Sequence, residues 1–193
     1  MGEIKSALEI AMEKADRLGR TSREEIKKDE RINTGRRLAA RYINGETEDL
    51  KAALSEFEAA VLPDILNGAT DALLRNIVLP RDKDQLSTIR RAMKGIVDIK
   101  GSPANQVLPQ MEDLLSAFEQ TRDHYRDQLK AQFQGRLGEV QQAVAMQYGS
   151  EAASSVDVEA LPEFQQEWTR LSGELNDQFE QKLDEMKVYI RRI

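Results

Sequence analysis

The residues with most chemistry to offer are few and scattered. His124 is the only histidine, and Glu119, Asp123 and Asp127 surround it at helical spacing. A carboxylate and histidine set of this kind can hold a metal, but the di-iron helix motif places Glu three residues before His, where this chain has Thr121. There is no cysteine, which excludes disulfides, thiolate metal sites and cysteine nucleophiles. Asp64 and Asp71 are carboxylates that an enzyme with an external metal could use, yet nothing in their spacing requires it. No serine triad, G-x-G-x-x-G or P-loop spacing occurs. The sequence therefore names no catalytic residue, no metal ligand and no cofactor site.

Binding is the next chemistry to weigh. Arg17, Arg20, Arg23, Lys27, Lys28, Arg31, Arg36, Arg37 and Arg41 make the densest basic segment, and Arg20, Arg23, Lys27 and Arg31 can line one helical face toward phosphates. Glu24, Glu25, Asp29 and Glu30 interrupt it, Tyr42 is its only aromatic, and the chain carries a net charge of −6. These features favour a solvated or protein-docking helix and leave nucleic acid as the alternative. Arg90, Arg91, Lys94 and Lys100 read the same way. Gly135 and Gly138 form a G-x-x-G that in a loop clamps a nucleic-acid backbone; lying between Phe133 and Val140, it predicts close helix approach or a bend instead.

The elements that must position these residues are helical throughout. From Met111 the apolar residues Leu115, Phe118, Tyr125, Leu129, Phe133, Leu137, Val140, Val144 and Tyr148 keep helical spacing, and Phe164, Trp168, Leu171, Leu175, Phe179, Leu183, Met186 and Ile190 repeat the pattern. Phe118, Leu129 and Val140 are eleven apart, as are Phe164, Leu175 and Met186, a period that gives nearly straight helices. Residues 104–193 are thus expected to form a long antiparallel hairpin of coiled-coil type, its first arm about 60 Å long. A mobile tip is expected over 149–161. Folding about that loop makes facing residue numbers sum to roughly 312, which sets Trp168 beside Val144, Leu175 beside Leu137 and Phe179 beside Phe133. Arg122 and Arg126 also fall near the seam, where Asp184 or Glu185 could pair with them across it.

Residues 1–100 read as about five short helices packed against the base of the hairpin. Gly19 ends the first, Ser22 with Glu25 forms a capping box that opens the second, and Asn44-Gly45 closes it. Thr47 caps a third, Pro63 interrupts it, and a fifth runs from Lys83 to about Asp98. Four Leu-Pro pairs, at Pro63, Pro80, Pro109 and Pro162, mark helix starts. The opening, Gly2-Glu3-Ile4-Lys5-Ser6-Ala7-Leu8-Glu9-Ile10, resembles the start of hypothetical bacterial proteins to which no activity is attached, and the resemblance implies no site.

With 193 residues the chain can bury a sizeable core unaided. Charge alternates along it: residues 1–45 carry 11 basic against 8 acidic side chains, and residues 46–80 carry 2 against 7. No stretch is apolar enough for a signal peptide or a membrane span. The expected protein is an all-α, non-enzymatic, cytoplasmic interaction or scaffold protein. It binds a protein partner through helical faces and self-associates as a homo-oligomer, with Arg20, Arg23, Lys27, Arg31 and Trp168 as the candidate surface. Circular dichroism checks the fold: a helical spectrum unchanged by a chelator is expected, and a strand signal or loss of structure on chelation would overturn it.

Overall fold

The computed structural model describes residues 7–154 and 156–193, with side chains throughout except at 7–11, 13–21, 83, 152 and 153. The chain is all-α, and no strand occurs among the described residues. Its elements are α1 (Ala7–Ile43), α2 (Leu50–Ser55), α3 (Leu62–Arg75), α4 (Lys83–Lys100), α5 (Ala104–Tyr148), α6 (Ser150–Ser154), a 3-10 turn (Val158–Ala160) and α7 (Pro162–Arg192). They divide into two compact units: residues up to Ile77 with Asp84–Ala104, and Val78–Lys83 with Asn105–Ile193.

In the first unit, α1 is continuous where two helices were expected. Gly19 does not stop it and the Ser22/Glu25 box does not open it. An interior glycine costs a helix about 1 kcal/mol relative to Ala, which neighbouring turns can offset, and a capping residue caps only where the chain has already left the helix. The real stop is at Gly45, where φ is 84°. There the Glu46 N–H donates to Arg41 O and the Gly45 N–H to Tyr42 O, the paired bonds that satisfy the last carbonyls of a helix. Asp49, not Thr47, caps α2: its carboxylate accepts from the Ala52 N–H at 2.9 Å. Pro63 and Pro162 stand in the first turns of α3 and α7, but Pro109 lies inside α5.

Helices α1 and α3 meet backbone to backbone. A Cβ at Gly35 would lie 1.9 Å from Ile65 O and 2.8 Å from Ala69 N, and one at Gly68 would lie 2.0 Å from Ile32 O. Only hydrogens fit there, so Cα–H groups point at carbonyl oxygens of the other helix. Arg31 to Asp64 (3.3 Å), Arg36 to Asp71 (3.7 Å) and Arg75 to Asp71 (3.0 Å) flank the crossing. The core of this unit is built from the fully buried Tyr42, Leu50, Ile65, Leu73, Leu74, Ile77, Ile89 and Ile96.

In the second unit, α5 and α7 pair within one chain, as the two stripes imply, but in another register. Phe118 meets Phe179 edge-on at 5.4 Å between ring centroids, and Phe133 meets Phe164 at 5.9 Å. Fifteen residues on one arm match fifteen on the other, so Phe179 faces Phe118 rather than Phe133, and Trp168 is not opposite Val144. The cause is residues 149–161, expected to be a loose tip. They form α6 and the 3-10 turn and fold back on α5: Val158 and Leu161 are buried with Leu129, Leu137 and Phe164, and Gln141 Nε2 donates to Val156 O at 3.2 Å. The returning chain occupies the end of the stripe, and α7 begins only at the level of Phe133.

The glycines provide the test. Gly35→Ala or Gly68→Ala forces a methyl into backbone and should destabilise the first unit by roughly 2–4 kcal/mol. Gly173→Ala, at a position with nothing within 4 Å, should instead stabilise by up to about 1 kcal/mol. Urea denaturation followed by circular dichroism distinguishes them; equal effects would mean that the α1–α3 contact is not as close as described.

Candidate interaction site on the helical hairpin

Of the candidate basic face only Arg31, among the described residues, is tied to another helix, and Arg36 and Arg41 of the wider basic segment are also paired within the first unit. Arg31 is held by Asp64, Arg36 by Asp71, and Arg41 by Glu46 at 3.6 Å. Lys27 reaches Glu24 at 3.5 Å and Arg23 is exposed; the Arg20 side chain lies outside those described. The same ion pairs explain Asp64 and Asp71, seven residues apart on α3: they are anchors for α1. In the second basic cluster, Arg91 stacks on the Tyr42 ring at 5.1 Å and donates from Nη2 to Thr47 O at 3.1 Å, while Arg90 and Lys94 stay exposed. Burial, with Asp98 adding to it, raises the Tyr42 hydroxyl pKa, and Arg91 opposes the shift. Among the described residues no three His, Asp or Glu side chains converge on a point that could hold a metal ion.

Arg122 and Arg126 do not reach Asp184 or Glu185, because the true register carries those acids past the Phe118–Phe179 contact. Arg122 Nη1 donates instead to Pro80 O at 2.8 Å and Arg81 O at 3.2 Å, with its guanidinium 5.7 Å from the Phe118 ring. It thereby ties the segment 78–83 to α5. Arg126 and Lys130 both bind the carboxylate of Glu159, and Arg126 also lies 5.9 Å from the Trp168 ring. These two cations hold the Glu159 carboxyl below its ordinary pKa. Trp168, the remaining candidate, is partly buried against the Leu129 and Phe164 cluster.

Between these points the seam is open. A cleft of about 340 Å³ runs between Tyr125, Gln128 and Gln132 of α5 and Glu167, Leu171, Glu174 and Gln178 of α7, over a floor of Leu129 and Leu175. The two floor leucines are buried, Leu171 is partly buried and Tyr125 is 38% exposed. Arg170 bridges Glu167 (2.5 Å) and Glu174 (2.8 Å) along the rim, and its hydrogen bond lowers the Glu167 carboxyl pKa. The stripe periodicity already marked the floor, but the cleft was missed because it depends on the register. Apolar floor, amide and carboxylate rims and parallel walls of helix are suited to receiving a helix, whose ridge fits such a groove.

Gly135 and Gly138 do not serve close approach among the described residues, since a Cβ at either would meet nothing within 4 Å. The helix continues through both.

An all-helical unit with an open groove along its hairpin is the class of structure at hand. Residues 51–192 match the model of a family of unknown function, DUF6657, and the chain belongs to that family. The matched range takes in the hairpin and its cleft but neither α1 nor the Gly2–Ile10 opening. No curated protein and no solved structure matches the chain.

The Glu159 clamp is testable by pH. A carboxyl whose folded pKa lies below its unfolded value adds stability above the unfolded pKa, and that stability is lost as pH falls through the folded one. Glu159→Gln should therefore cost up to about 1 kcal/mol at pH 7, and the difference from wild type should vanish at acid pH once Glu159 is protonated. Urea titrations at both pH values check it; a cost that persists in acid would mean that the clamp acts by packing rather than by charge.

Proposed function

We propose that the protein is a non-enzymatic helical interaction protein, and that its docking site for a partner helix is the cleft between α5 and α7. The observation that carries this reading is the apolar lining of the cleft, where Leu129 and Leu175 form the floor and Leu171 the wall of an open groove with polar rims. Apolar surface of this kind gains most when a second amphipathic helix covers it, and the Gln and Glu rims offer that helix hydrogen bonds and charge. The titratable groups support docking over catalysis: Asp64, Asp71, Glu159 and Glu167 each engage arginines. The nucleic-acid alternative is weakened by the pairing of Arg31, and of Arg36 and Arg41 beside the candidate face, with acidic partners. Among the described residues no helix is long and apolar enough to cross a membrane, and the absence of cysteine suits a reducing, cytoplasmic setting.

Replacing Leu171 with Glu puts a charge on the cleft wall without removing either buried leucine of the floor. Affinity capture with wild type and variant side by side should show partners lost from the variant, by roughly tenfold or more, at unchanged helical circular dichroism. An identical set of partners at identical yield would sink the cleft as the docking site.

A further inference from the structure

We propose that the helix received by the cleft is α5 of a second copy of this chain, so that two hairpins close on each other about a twofold axis. This deepens the docking reading above and rests on it. The added observation is the side of α5 turned away from α7. From Ala117 to Ala145 that side is built of Ala, Gly, Gln and His124, with Asp127 as its one charge, and its residues up to Gln142 are exposed. In a chain of which 32% is charged, an exposed face about 42 Å long with so little charge is matched to another helix rather than to water.

Gly135 and Gly138 sit near the middle of this face, in open space. Each weakens α5 relative to Ala, and no contact among the described residues accounts for either. The first unit shows what glycine does where helices cross in this molecule: Gly35 and Gly68 let two backbones touch. The neutral face and the cleft adjoin around α5 and share Gln128. A twofold axis therefore lets each hairpin insert its own α5 edge and receive the other's, which is the self-complementarity that a symmetric dimer requires. A strip two helices, or about 20 Å, wide over the roughly 27 Å from Ala117 to Gly135, and one helix wide over the roughly 15 Å beyond, covers about 700 Å² per copy, within the range of standard stable interfaces.

The test is sedimentation of the full chain across a concentration series, with Gly135→Glu/Gly138→Glu and Leu171→Glu beside wild type. The glycine positions are exposed and Glu is the better helix former, so the double variant keeps the monomer fold, as circular dichroism will confirm. Dimerisation of wild type is expected, weakened by roughly tenfold or more in both variants. A wild type that stays monomeric at about 100 μM, or a dimer indifferent to the glycine substitutions, overturns the proposal. If Leu171→Glu alone weakens the dimer, the cleft is a docking site but α5 is not its occupant. If neither variant matters and capture of other partners is also unchanged, the cleft reading fails too.

Discussion

The fold-back of Val156–Leu161 onto α5 is the constraint on which the second unit depends. By burying Val158 and Leu161 against Leu129 and Leu137, it fills the end of the α5 stripe and determines where α7 can start. Everything downstream follows from that start: the two phenylalanine pairs, the place of Trp168, and the stretch near Tyr125 where the seam stays open. The clamp of Arg126 and Lys130 on Glu159 holds the fold-back at its centre. A shift of one helical turn would break both charge contacts and move Phe164 off Phe133 together, so the register is specified by apolar and ionic contacts that agree.

What could be read from residues alone was whatever depends on local periodicity. The span of α5, the chain stop at Asn44-Gly45 and the apolar stripe of α7 all follow from spacing and capping chemistry within a few residues. What could not be read was long-range. Gly19 looked like a terminator because a helix end is a decision between glycine's backbone freedom and the helix on both sides of it, and only the first is visible locally. The hairpin register departs from the one that spacing implies because the 13-residue connection, 149–161, is not slack: the buried Val158 and Leu161 make it part of the packing. The cleft depends on that register and was invisible for the same reason, although its leucine floor lay in plain view on the stripes.

Charge presents a parallel lesson. The density of arginine between Arg17 and Arg41 suggests a surface waiting for an anion, while Asp64 and Asp71 suggest a pair of carboxylates waiting for a metal. Two of those arginines answer both aspartates. Arg31 and Arg36 reach across to the two aspartates and flank the glycine crossing, so what looks in sequence like two half-sites is one intramolecular lock. Sequence separation conceals such neutralisation: the partners are 33 and 35 positions apart and lie in segments of opposite net charge, basic over 1–45 and acidic over 46–80.

The contact of Gly35 with Ile65 and of Gly68 with Ile32 also has a mechanical meaning. Most helix pairs are separated by a layer of side chains that can change rotamer and so act as a cushion. Here the layer is missing, and the two helices behave as a pinned joint without slack. About 25 residues of α1, from Ala7 to the crossing, extend N-terminal to that pin, close to 40 Å of helix. A load applied there is passed to α3 as torque on a stiff lever instead of being absorbed by repacking, and the flanking Arg31–Asp64 and Arg36–Asp71 pairs resist its rotation on either side.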